Sequence, residues 1–252
     1  MKVDYMKKLI KNLIIRVSLV LGILFIFLGF KEFFYSLDSK YKNEAIRSVV
    51  IRESTSENPL DRNIDFEKLK KENEDIVAWI YIPGTSVDYP ILIGDSDDEY
   101  SYKDVEGNYN PLGSIFSFSN TKKDFSESHI KLFGHNMREF QMFGELRKYL
   151  NTDYMEEHKK FYIYTDKKSM ECDIVSIFIC DETDILFGNV GTGADFLTSL
   201  ASRNVNSSYD LLSKIDELSD SQVYTLVTCN GIEGTPERLL VNGVVIKEKI
   251  NL

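Results

Sequence analysis

Hydrophobic positions fall into two textures along the 252-residue chain. The first is a continuous run, LIIRVSLVLGILFIFLGF (13–30), eighteen residues broken only by Arg16 and Ser18. That length is about what a helix needs to span ~30 Å of hydrocarbon. A buried core helix would carry a polar face, and 17–30 has none. After it, Leu37, Tyr41, Ala45, Ile46 and Val49 recur at helical spacing over 38–53. STSENPLDRN (54–63) is rich in turn formers and reads as a loop. DFEKLKKEN (65–73) opens on an N-cap aspartate and predicts a short helix. From residue 76 the second texture begins. IVAWIYI (76–82), SVDYPILI (86–93), GSIFSF (113–118), HIKLFG (129–134), KFYIYT (160–165), CDIVSIFIC (172–180), VYTLVTC (223–229) and RLLVNGVVI (238–246) are short, β-branched or aromatic, and bounded by turns. Eight such runs predict a closed or nearly closed β-barrel. Residues 140–150 and 154–158 read as helical, as do 193–203 and 209–218 inside a long insertion, 181–222. The expected fold is therefore mostly β with helical insertions (α+β): an eight-stranded barrel with N-terminal helices, preceded by one transmembrane helix. The expected organisation is 1–31 cytoplasmic tail and anchor, 32–72 stalk and helices, and 73–252 catalytic barrel.

Charge orients this plan. Lys2, Lys7, Lys8, Lys11 and Arg16 precede the apolar core of the run, against Lys31 and Lys40 just after it. The positive-inside rule puts the N-terminus in the cytoplasm and the rest outside. KEFFYSLDSKY follows with no small-x-small cleavage pattern, so the anchor is expected to be retained. The chain carries 30 basic and 40 acidic side chains; six basic and one acidic precede residue 32, leaving 24 and 39 in the exported part. A net −15 disfavours both nucleic-acid binding and adhesion to anionic lipid.

Three cysteines, Cys172, Cys180 and Cys229, leave at least one thiol unpaired. Cys172 and Cys180 lie eight residues apart in one strand-like run, ~26 Å when extended, beyond disulfide reach. No C-x-x-C or His/Cys cluster suggests a metal site. Cys229 ends an apolar strand, and Arg238 opens the next one nine residues later. A thiol attacks carbonyls as a thiolate, and needs a proton-accepting or cationic neighbour to become one. Of the three histidines, His135 in LFGHNM follows a strand and a glycine, where rigid scaffolds present catalytic groups. His129 enters the same strand and His158 closes a helical segment; both read as structural. Arg238 offers a planar fork of donors suited to a developing oxyanion. Its bland alternative is a surface cation paired with Glu233 or Glu237.

TLVTC (225–229) followed by Arg238 resembles the TLxTC…R signature of sortases, the membrane-anchored cysteine transpeptidases of Gram-positive bacteria. The resemblance covers about residue 73 to the C-terminus. GHNM (134–137), MFGELRKYL (142–150) and HKKFYIYT (158–165) are most similar to class B. The resemblance implies that Cys229 is the nucleophile, His135 the general acid/base, and Arg238 the oxyanion and substrate-backbone partner. It implies no cofactor, and a calcium ion belongs to a different class. Partners would be secreted proteins bearing a C-terminal sorting signal, of NPxTN-like or (S/P)PxTG-like pattern, and a peptidoglycan amine. The enzyme would cut after the threonine and pass the acyl group to that amine. The segment 193–218 is expected to wall the substrate groove, with Leu197, Tyr209, Thr228 and Asn136 as contacts; Asn136 could also orient the His135 ring. Val227 stands where many class B members have serine, so any role of that hydroxyl is lost or moved to Thr225 or Thr228. A plain extracellular cysteine hydrolase and a catalytically silent anchored binding protein are the other classes open.

Overall fold

The computed structural model describes residues 2–52, 56–137, 141–188, 191–203, 206–207, 211–231 and 234–251. The chain divides into two compact units, residues 1–41 and 42–252. A single helix, α1 (Lys2–Val50), begins in the first. It contains the 13–30 run with every side chain exposed, and among the described residues it is the one helix long and apolar enough to cross a membrane. The helical spacing read over 38–53 is the last part of α1 as far as Val50, because no glycine or proline interrupts residues 30–50; Ile51 and Arg52 instead pair with Ile64 and Asn63, and residue 53 lies outside the described residues.

In the second unit each of the eight apolar runs forms a strand: β1 (Ile76–Tyr81), β2 (Asp88–Leu92), β3 (Ile115–Phe116), β4 (His129–Phe133), β5 (Lys160–Thr165), β6 (Lys168–Asp181), β7 (Val223–Cys229) and β8 (Glu237–Ile250). They pair in the order β8-β7-β4-β3-β2-β1-β5-β6, and β6 pairs back onto β8 to close the barrel. Two neighbours are parallel, β4 with β7 and β2 with β3; the rest are antiparallel. Closure removes the exposed edges that an open sheet would have to protect. Residues 206–207 add a two-residue ladder to β6.

The helices pack where their apolar faces dictate. α2 (Phe66–Glu72) starts at Asp65, whose carboxylate accepts the Lys68 N–H at 3.1 Å, the cap its sequence predicts. Leu69 of α2 and Val50 of α1 are buried with Leu60, Ile64, Trp79, Leu92 and Tyr164 at one face of the barrel. Residues 144–150, read from sequence as helix, form a 3₁₀ helix, Gly144–Leu150, before α3 (Thr152–Glu157). In the insertion, α4 (Gly193–Ala201) begins with a Thr192–Asp195 capping box, and α5 (Leu211–Leu218) follows. Phe196, Leu197 and Leu200 of α4 pack on Val175, Val223 and Val244.

One buried charge ties this architecture together. Asp88 on β2 accepts both guanidinium nitrogens of Arg62, at 2.8 and 2.7 Å, and the Trp79 indole N–H at 2.7 Å; Arg47 lies 3.6 Å away. The end of α1, the 59–62 turn and two barrel strands thus meet at one carboxylate. Breaking a buried, fully bonded pair strands the remaining cation, which costs about 3–5 kcal/mol. Asp88→Ala in the full-length protein is therefore expected to lower stability by about that amount, read by denaturant titration in detergent. A loss below about 1 kcal/mol would show that the cluster is solvated rather than structural.

Candidate active site

The registers of β4, β7, β8 and β6 fix which side chains share a row on one face of the sheet, since directly paired residues point the same way. Thr225 of β7 is paired with Lys131 and Asn242, and Asn242 with Ser176. Val227 is paired with Phe133 and Leu240, and Leu240 with Phe178. Cys229 is paired with Arg238, and Arg238 with Cys180. The parallel β4–β7 ladder continues past Phe133, because the Gly134 N–H donates to Val227 O at 3.1 Å. His135 follows directly, and the Asn136 Nδ2 bond to Cys229 O at 2.9 Å keeps this segment at the Cys229 end of β7. The three residues singled out in the sequence therefore stand at one end of the barrel: the C-terminal ends of two parallel strands and the N-terminal end of an antiparallel one.

Local chemistry explains the sequence around them. A Cβ on Gly134 would meet Ile115 and come within 2.9 Å of the Phe143 ring, so only glycine lets β4 pass this close. The His135 Nε2 lies 2.7 Å from Ser101 O. A carbonyl only accepts, so Nε2 carries the proton there, and Nδ1 is the basic nitrogen of the neutral ring. Tyr102 packs against the imidazole with centroids 5.6 Å apart. Asn136 does not orient that ring; its Nδ2 donates to Cys229 O at 2.9 Å and ties the two strand ends together. The Cys229 thiol is partly exposed, whereas Cys172 and Cys180 are buried. Burial pushes the Cys180 thiol up to about 11 and that of Cys172 well above the ordinary range.

Arg238 is held from three sides. One guanidinium nitrogen donates to Thr235 O and, at 3.1 Å, to Glu237 O; the other donates to Glu182 Oε2 at 2.7 Å. The acidic partner is thus Glu182, at the end of β6, and not Glu237, whose carboxylate accepts from Asn230 at 3.1 Å. Glu233 lies outside the described residues.

Residues 80–246 match the sortase domain family. The chain belongs to the sortase family. It is 28% identical to sortase B of Listeria monocytogenes over 222 residues, 84% of this chain and 87% of that one. It is 30% identical to sortase B of Staphylococcus aureus over 188 residues, 72% and 75% of the two chains. Among solved structures, Clostridium perfringens sortase B superposes with a TM-score of 0.63 at 26% identity, covering 73% of this chain and all of that one. A Staphylococcus aureus sortase B–substrate complex gives 0.61 at 27%, covering 72% and 84%. Members of this family are cysteine transpeptidases of the cell surface, and so is this protein.

Within this sortase the secondary site readings fare unevenly. Leu197 is fully buried in the cluster between α4 and the sheet, so its side chain is closed to a peptide. Thr228 alternates to the face opposite Cys229; its hydroxyl is buried and finds no partner among the described residues. Thr225 is likewise buried, accepting from His129 Nε2 at 2.9 Å and donating to Asn242 at 2.8 Å. Neither threonine exposes a hydroxyl to replace the serine absent at Val227. Tyr209 lies outside the described residues. His129 is held down to about 3 by burial and by Lys131, so it stays neutral and structural. His158 caps α3 and stacks on Tyr154 at 4.0 Å. Ser101, Tyr102 and Glu182 escaped the sequence reading. Ser101 acts through its backbone, and Glu182 is 56 residues from Arg238 in the chain.

The thiols are separable by experiment. At pH 8, N-ethylmaleimide is expected to modify Cys229 of the native protein and to spare Cys172 and Cys180, with all three reacting after denaturation. Because the folded pKa of Cys180 is raised, its thiolate appears only as pH climbs toward 11. Peptide mapping of the labelled protein is the measurement, and native labelling at Cys180 would contradict the burial described.

Proposed function

We propose that this sortase cleaves secreted proteins within a C-terminal sorting pentapeptide and joins them to an amine of the cell wall, with Cys229, His135 and Arg238 as its catalytic residues. The pentapeptide has an NPxTN-like or (S/P)PxTG-like pattern, with threonine as its fourth residue. The single observation behind the assignment is that one end of the barrel gathers all three: Cys229 is paired with Arg238, and the segment that carries His135 is tied to Cys229 O by Asn136. The Cys229 thiolate attacks the threonine carbonyl carbon, and the carbonyl oxygen takes up the electron pair as an oxyanion beside the Arg238 guanidinium. Collapse of that intermediate breaks the C–N bond, and the leaving amine takes a proton from the His135 imidazolium. A threonyl thioester on Cys229 remains. The acceptor amine then attacks the thioester, loses a proton to His135, and expels the thiolate. Residues 1–31 serve as tail and anchor with the N-terminus in the cytoplasm, residues 32–72 as stalk and helices, and residues 73–252 as the extracellular catalytic barrel. The lysine asymmetry about the 13–30 run supports that orientation.

Two outcomes test the assignment with full-length protein in detergent, a sorting-motif peptide and an added amine. Cys229→Ala should abolish both cleavage and transfer. His135→Ala should slow turnover by ~10²–10⁴-fold, the usual general acid–base contribution, with His129→Ala sparing the chemistry. Mass analysis of the products separates transfer to the amine from release to water, which a plain cysteine hydrolase would give alone.

Arg238→Lys is the sharper probe. An Arg238 that only balances Glu182 could be replaced by lysine at a cost of ~0–1 kcal/mol. A guanidinium that meets the oxyanion cannot, because losing such a donor typically slows the step ~10²–10³-fold. Single-turnover acylation is expected to fall by that factor while circular dichroism stays unchanged. A folded variant within a few-fold of wild type would remove Arg238 from the chemistry.

A further inference from the structure

On the Cys229 face of the sheet lies a cavity of about 880 Å³. Its lining runs from Glu182, the partner of Arg238, past Phe118 and Phe187 to Lys131 and His129 on β4. Neither Cys229 nor His135 lines it; Glu182 is the residue it shares with the Arg238 cluster. Lys131 is only 9% exposed. Its ammonium donates to Phe187 O at 2.6 Å and to Gly188 O, and among the described residues both of its hydrogen-bond partners are backbone carbonyls. An ammonium offers three N–H donors, so one is left over. Desolvating a cation without a carboxylate counter-ion is costly, and burial holds Lys131 down to about 8. The acids that line the cavity are otherwise engaged: Glu182 accepts from Arg238, Asp97 from Ser119, and Glu127 from the Lys122 backbone N–H.

The strand register measures how far Lys131 stands from the Cys229 level. Lys131 is level with Thr225, four residues back along β7 from Cys229, which at ~3.3 Å per residue is ~13 Å. The placement takes the substrate as extended alongside β7 and running in the same direction, so that it rises at the same rate. With the threonine at the Cys229 level, the first residue of the pentapeptide lies three residues back, and the residue before the pentapeptide lies level with Lys131. His129, two residues further along β4, lies ~20 Å from the Cys229 level by the same spacing. We propose that this cavity is a subsite for the residues preceding the sorting pentapeptide, in which Lys131 donates to a hydrogen-bond acceptor side chain, carboxylate or amide, on the residue immediately before it. The inference rests on the transpeptidase reading above and extends the recognised sequence upstream of the pentapeptide.

The test uses full-length protein in detergent and peptides extended three residues upstream of the pentapeptide, in both NPxTN and SPxTG series. The residue before the pentapeptide is Asp, Asn or Leu. A hydrogen bond to a charged group is worth about a factor of 10 or more. Wild type should cleave the Asp and Asn peptides with kcat/KM about 10-fold above the Leu peptide. Lys131→Met should bring that ratio to about one while still cleaving the Leu peptide. Lys131 also fastens Phe187 and Gly188, and a pure fastening role would lower all three peptides together and leave the ratio intact; that result overturns the subsite. So does a wild type that cleaves all three equally, a measurement that needs no variant to fold. A wild type that cleaves none of them, in either series, overturns the pentapeptide patterns proposed above, and the subsite with them.

Discussion

The site depends on one constraint, the pairing of β7 in parallel with β4 on one side and antiparallel with β8 on the other. Only a parallel neighbour delivers its C-terminal end beside Cys229, so His135 must follow β4 and cannot come from a hairpin partner. Only an antiparallel neighbour starts where β7 stops, so Arg238 must open β8. A slip of one residue in either ladder would turn the slipped strand's side chains to the other face, away from Cys229. Placing the cysteine, the histidine and the arginine together is therefore a problem of register before it is one of chemistry.

Two rows of side chains behind Cys229 hold that register. In one, His129, Thr225, Asn242 and Ser176 form a hydrogen-bonded chain across four strands, with links of 2.9, 2.8 and 3.0 Å. Each bond contributes about 1 kcal/mol net, but a slip would leave several buried polar groups unpaired at about 1–3 kcal/mol apiece. The chain thus penalises wrong pairings more than it stabilises the right one. In the other row, Val227 and Leu240 pack with Phe133, Phe178 and Phe187. Val227 is an apolar tile of this layer, which accounts for a branched aliphatic where a serine would present a hydroxyl among phenyl rings. The two rows together make β4, β7, β8 and β6 a plate on which the reactive groups are mounted.

Much of this was legible in the chain, and the failures have physical causes. All eight strands were visible because each is a short β-branched or aromatic run bounded by turn formers; VYTLVTC and KFYIYT coincide with β7 and β5, which are buried along nearly their whole length. Asp65 announced α2 because an N-cap is a local event. Residues 144–150 were harder, since seven residues cannot separate a period of 3.0 from one of 3.6. Leu197 reads as an exposed groove contact only if the insertion stands away from the barrel; α4 instead lies on the sheet and spends that side chain on packing. The ring partner of His135 is a backbone oxygen, which no residue type signals. Glu182 was invisible because it meets Arg238 only after β6 closes onto β8, a contact between distant segments that local pattern cannot report.

Closure of the barrel also explains how Arg238 can be both fixed and available. The Glu182 N–H donates to Pro236 O at 2.9 Å, so the carboxylate is anchored by backbone to the turn that leads into β8. Its side chain is 47% exposed, against 20% for Arg238. A pair this wet contributes ~0–1 kcal/mol, too little to lock the guanidinium in place. The bonds to Thr235 O and Glu237 O use the nitrogen that Glu182 does not, so the fork is aimed by its own turn and by β6 at once. Five N–H donors on one plane allow that division of labour, with donors left over. A lysine held by the same three acceptors would use all three of its hydrogens on the protein. The choice of arginine at the opening of β8 therefore follows from how many acceptors the closed barrel already places around that position.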